Sequence, residues 1–143
     1  MTRIARVAAA LATVSLAVTC LAGQTGGAST SGSVNVVDWD SNYGLAIENA
    51  LVNAVSVFDK GNVAQACATI AKEGKKGLSD PYPPNSRLAF HWGAAMAFDE
   101  IGGTECSAAL ANPNKTLLNQ ALNSLSQGQT QLRDFASEVK ALL

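Results

Sequence analysis

Three prolines within four residues, Pro81, Pro83 and Pro84, cut the chain at a point that no helix can cross. Each fixes φ and lacks a backbone donor, so a helix arriving from upstream must stop there. Asn85 or Ser86 then stands ready to cap a new helix, because a short polar side chain bonds the free amides of a first turn. From Arg87 to about Ile101 only Gly93 weakens the helix, by roughly 1 kcal/mol relative to alanine. At about 100° per residue, Leu88, Trp92 and Met96 fall on one side and Phe90, Ala97 and Ile101 on the other. Only Arg87, His91, Asp99 and Glu100 interrupt this apolar surface, so both sides are expected to be covered by neighbours. Gly102 and Gly103 read as the end of the helix, with Cys106 closing it.

The same periodicity predicts three more helices. From about Asp38 to Asp59, Tyr43, Ile47, Ala50, Leu51, Ala54, Val55 and Phe58 recur at spacings of three and four, with Asp38 or Asp40 placed to cap. Lys60-Gly61-Asn62 closes that helix and opens the next, which buries Val63, Ala66, Cys67, Ile70, Ala71 and Leu78. Lys72, Lys75 and Lys76 near its end are read as cations complementing the helix dipole rather than as an anion site. Beyond Pro113, Asn114-Lys115-Thr116 has the glycosylation-acceptor pattern but serves here as a helix cap. The last helix carries Leu118, Leu125, Leu132 and Val139 seven apart. Ala121, Leu122, Phe135, Ala136, Leu142 and Leu143 widen the stripe, and Gly128 is a point of bending.

Upstream of the helices, residues 1–22 read as an export signal, with Arg3 and Arg6 ahead of an apolar run from Val7 to Leu21. The segment LAVTC ending at Cys20 resembles the lipobox of bacterial lipoproteins, with Thr19 and Ala17 as departures. Cleavage after Ala22 or Ala28 fits as well, so Cys20 is a candidate lipidation site. Residues 23–33 are glycine, serine and threonine with one alanine and one glutamine, the composition of a flexible linker. The domain proper is residues 34–143. Removing Arg3 and Arg6 leaves eight Lys and Arg against eleven Asp and Glu, a formal charge of −3. That argues against a nucleic-acid partner, and a membrane is reached only through an anchor at Cys20.

No stretch alternates apolar and polar residues as a strand does, so the fold expected is an all-α antiparallel four-helix bundle. In an exported chain the remaining pair, Cys67 and Cys106, is most simply a disulfide. The proline pair before a helix containing Trp92, the cysteine after it and the final LLNQALNSLSQGQTQL look similar to small secreted or lipid-anchored actinobacterial proteins. That resemblance implies a helical bundle over residues 34–143 and carries no catalytic residue across.

The chemistry of the side chains narrows function further. His91 is the only histidine, so a histidine-rich metal site is excluded, and no Gly-x-Ser-x-Gly elbow is present. Asp99 and Glu100 are helix neighbours pointing about 100° apart, which does not make an acid/base pair. The expectation is a non-enzymatic extracellular or envelope module, without a cofactor, that binds another protein. The alternative is a carrier of haem or lipid in the bundle core, with His91 and Trp92 as candidate ligand-binding residues. Trp92 shares its side with Leu88 and Met96, which favours packing over binding. If Trp92 is core, function is to be sought on the outer faces of the first and last helices. Lipidation at Cys20 has a direct test: Cys20→Ala leaves an anchored, unprocessed precursor. Unchanged release of the variant into the medium rules lipidation out.

Overall fold

In the computed structural model, which describes residues 36–142, the chain is helical throughout except for three short connections. The leader, Cys20 and the linker lie outside the described residues. Residues 36–39 are already helical and pass through one π-turn, Asp40–Gly44, into α1, Leu45–Asp59. Then follow α2, Val63–Ser79, α3, Ser86–Ala111, and α4, Lys115–Leu142. The four helices form the expected all-α bundle, with no strand among the described residues.

Asparagines start three of the helices. Asn62 Oδ1 accepts from Gln65 N, Asn85 Oδ1 from Arg87 N and Leu88 N, and Asn114 Oδ1 from Thr116 N and Leu117 N. Each satisfies amides that have no partner within the first turn. Gly61, at φ +86°, turns the chain between α1 and α2 in a conformation most side chains avoid. The first helix departs from expectation here. Neither Asp38 nor Asp40 caps it, because the helix begins before both, and Asp40 opens the π-turn instead.

The proline turn sets the centre of the core. Gly77 lies in the last turn of α2, and its carbonyl would normally pair with the amide four residues on. That residue is Pro81, which has none. Trp92 Nε1 donates to Gly77 O at 3.2 Å instead, and Trp39 Nε1 donates to Pro81 O at 2.6 Å. The two indoles meet edge to face with centroids 4.9 Å apart, and Phe135 of α4 lies 5.5 Å from Trp92 and 6.0 Å from Trp39. Such pairs contribute about 0.5–1.5 kcal/mol beyond the area they bury. Trp92, Leu88, Met96 and Ile47 have no exposed surface. Trp92 is therefore core, as its spacing implied.

α3 is the central helix, packed along α2 on one flank and α4 on the other. Its glycines do not end it. Gly103 sits against the backbone of Cys67 and Ala71, and Gly102 against Leu125, so both are crossing points inside a helix that runs on to Ala111. Cys106 is likewise inside the helix, joined to Cys67 with Cα atoms 5.8 Å apart. Gly74 of α2 meets the backbone from Met96 to Glu100, and Gly128 of α4 meets Ala95, Phe98 and Asp99. Gly128 is thus a contact point between α4 and α3.

Three expected burials fail. Phe90 and Ile101 are 66% and 48% exposed, because α2 and α4 cover the flanks of α3 and leave its outer side open. Leu142 is also exposed at the end of α4, and Leu143 lies outside the described residues.

The two kinds of glycine on α3 give opposite signs on substitution. A Cβ at Gly103 would meet the Ala71 and Cys67 backbone, which cannot give way, so Gly103→Ala should lose about 1–3 kcal/mol. A Cβ at Gly93 would meet only the Tyr82 ring at 3.1–3.3 Å, and Tyr82 is 45% exposed and free to swing aside. Gly93→Ala should therefore gain up to about 1 kcal/mol from helix propensity. Urea midpoints of the two variants check this pair.

Candidate functional site

α1 leans on α2, whereas its backbone makes no comparable approach to α4. The bundle consequently has a cleft walled by Leu51, Val52 and Val55 of α1, Ile70 of α2 and Leu132 of α4. Three polar side chains share it: Glu48 from α1, Asp99 from α3 and Gln129 from α4. All three are buried, at 8%, 3% and 5% exposure. The cavity itself is small, about 20 Å³, enough for roughly one water molecule.

Helical phase brings them together. Glu48 lies three residues before Leu51 and seven before Val55, in the buried register of α1. Gln129 lies between Leu125 and Leu132 at spacings of four and three, and Asp99 follows Trp92 and Ala95 at seven and four. Each therefore occupies a core position on its own helix. Gly128 makes room for the Asp99 carboxyl, since a Cβ there would lie 2.7 Å from Asp99 Oδ1.

Burial dominates the electrostatics. Removal from water pushes the Glu48 carboxyl from 4.5 up to about 7, with the nearby Asp40 charge adding to the effect. Burial alone pushes Asp99 from 3.8 up to about 7. Asp40 is raised as well, also by burial. Among the described residues, two buried side-chain atoms have no partner, Glu48 Oε2 and Gln129 Nε2. One is an acceptor when ionised and the other a donor. An unpaired buried polar atom costs about 1–3 kcal/mol, so the cleft holds unused bonding capacity.

The residues singled out from sequence lie elsewhere. His91 is half-buried on the α4 side of α3, where Nδ1 donates to Gln131 Oε1 at 2.8 Å. Trp92 and Met96 have no exposed surface, so neither shares an open pocket with His91. Glu100 does not line the cleft that Asp99 lines, so the two are not paired there. Lys76 binds Asp80 at 2.9 Å just past the end of α2, and Lys72 lies 3.8 Å from Glu73, so two of the three lysines have acidic partners on the helix or at its edge. Sequence reasoning passed over Glu48 and Gln129. The available signal was a polar residue in an apolar phase of an otherwise clean stripe.

Outside the cleft, the open side of α3 is the other distinctive surface. Phe90, Ala94, Ala97, Ile101, Thr104 and Ala108 follow one another at alternating spacings of four and three, with no charge among them. Arg87, at the start of the helix, is turned to α4 by its ion pair with Glu138 at 2.8 Å. Tyr82 lies over Gly93 beside this row. No helix among the described residues is long and apolar enough to cross a membrane. The chain matches no protein-family model, no curated protein and no solved structure.

The buried acids predict an unusual pH dependence. Both carboxyls hold a proton more tightly in the folded state than in the unfolded state. Their stabilising contribution is therefore complete below about pH 4 and is lost as pH rises through about 7. The thermal midpoint should fall between pH 5 and pH 8. Glu48→Gln and Asp99→Asn should each flatten that slope and raise the midpoint at pH 8, by an amount on the order of 2–4 kcal/mol in stability. Thermal unfolding of the three proteins across that range is the check.

Proposed function

We propose that this chain is a non-enzymatic exported module, secreted or held at the cell envelope through Cys20, that works by binding another protein. The observation that carries this reading is the open side of α3. An uncharged row with Phe90 66% and Ile101 48% exposed is unusual at the centre of a bundle whose other large apolar residues are mostly covered. Its alternating four-three spacing is that of a helix-pairing seam, with the small Ala94 and Ala97 lying between the larger Phe90 and Ile101. The partner it suits is an amphipathic helix laid along α3, its apolar residues set beside Phe90 and Ile101. The Cys67–Cys106 bond fits such a setting, because disulfides persist in oxidising compartments outside the cytosol.

A photocrosslinking residue in place of Phe90 should give a discrete adduct in the native host, and the same residue in place of exposed Ser126 should not. Ile101→Glu should abolish the adduct while shifting stability by no more than about 0.5 kcal/mol, as expected of an exposed position. Equal labelling from both positions, or none from position 90, would sink the proposal. An adduct at twice the chain's own mass would identify the partner as a second copy.

A further inference from the structure

The centre of the α3 row is symmetric in a way that restricts its occupant. Phe90, Ala94, Ala97 and Ile101 are large, small, small and large at spacings of four, three and four, so the row reads the same from either end. A two-fold axis crossing α3 between Ala95 and Met96 turns this row onto itself. Phe90 of one copy then lies beside Ile101 of the other, and Ala94 beside Ala97. The alanines at the axis let two such helices approach at the close end of the usual spacing of about 8–10 Å. The larger residues stand toward the ends, where crossing helices diverge and leave space to fill.

The charges beside the row match the same axis. Arg87 and Glu105 are eighteen residues apart, five full turns, and so lie on one flank of α3. Their contacts agree, since both are made to α4: Arg87 Nη2 pairs with Glu138 at 2.8 Å, and Ser124 Oγ donates to Glu105 Oε2 at 3.3 Å. A two-fold axis perpendicular to the helix sets like flank against like flank. It brings Arg87 of one copy level with Thr104 of the other, and Glu105 follows one residue on, about 1.5 Å along the helix. The match occurs twice, once at each end of the row. Arg87 is largely exposed and has donors beyond the one nitrogen that Glu138 uses. A parallel pair lacks this complement: the first acid of α3 is Asp99, three turns beyond Arg87.

We propose that the occupant of the α3 row is a second copy of this chain, docked antiparallel across a two-fold axis, with Phe90 against Ile101 and an Arg87–Glu105 ion pair at each end. This rests on the reading of the row as a protein-binding surface and names its partner. A single helix crossing falls below the standard interface of about 800 Å² per partner, so the pair is reversible rather than obligate.

Sedimentation equilibrium of the purified full chain tests the assignment over about 1 μM to 1 mM, the range of a reversible contact. The mass should rise toward twice that of the chain, and Ile101→Glu should hold it at the single mass. Arg87→Glu and Glu105→Arg should each weaken association at least about fivefold, because both cross-pairs then join like charges. An equimolar mixture of these two variants should associate again, since opposite charges face each other at both ends of the mixed pair. Circular dichroism confirms that the variants keep their helices, and should Ile101→Glu fail to fold, the two charge variants and their mixture decide. A single mass throughout, association that survives Ile101→Glu in the folded variant, or a mixture no better than its components would each overturn the proposal. If a monomeric chain still gives an adduct from position 90 with a different host protein, only the second copy is removed as occupant. If it gives none, the reading of the row as a binding surface falls too.

Discussion

Two carbonyl groups at the proline turn, Gly77 O and Pro81 O, organise this molecule. Pro81 deprives Gly77 O of its helical partner, and the turn that follows leaves Pro81 O pointing into the domain. A buried carbonyl without a donor is costly, and in a core built from aliphatic side chains nothing would supply one. Trp92 and Trp39 do, each by the single N–H of its indole. Because those bonds are made by large aromatic rings, the same event brings α3 and the segment before α1 onto the end of α2. Phe135 then closes the group from α4. One helix-terminating turn thus fixes the position of all four helices.

That dependence explains which parts of the fold could be read from the chain and which could not. The helix starts at Asn62, Asn85 and Asn114, the turn at Gly61 and the pairing of Cys67 with Cys106 follow from local chemistry that acts over a few residues or from counting. Trp92 as core followed from its spacing with Leu88 and Met96. The continuation of α3 through Gly102 and Gly103 did not, because a glycine pair lowers helix propensity locally and its compensation comes from elsewhere. Here the absence of side chains lets α2 and α4 approach the backbone of α3. The π-turn at Asp40–Gly44 is similar: Gly44 admits the Trp39 ring, a reason visible only once both are placed.

The candidate sites show the same division. His91 and Trp92 stood out because their residue types are chemically distinctive, yet one is engaged with Gln131 and the other lies wholly in the core. Glu48 and Gln129 belong to types so common on helix surfaces that only their phase marks them. Asp99 was noticed and set aside because its sequence neighbour Glu100 faces another way. The other acid that lines its cleft, Glu48, lies on α1, fifty-one positions earlier in the chain. Helical periodicity assigns a residue to a face, but it does not say which faces of which helices will meet.

The Cys67–Cys106 bond divides the chain in a way that the four-helix description hides. The residues from Cys67 to Cys106, a sequence separation of 39, form a covalent ring containing most of α2, the proline turn and most of α3. α1 and α4 are the two open arms attached to that ring, and the cleft with Glu48 and Gln129 lies where the arms face each other. The disulfide does not tie down either arm, so an opening that parts α1 from α4 leaves the ring closed. Most of the surface between α2 and α3, by contrast, is enclosed by a loop of chain that has no free end. The molecule is in this sense a closed macrocycle with two helices appended, one at each of its exits.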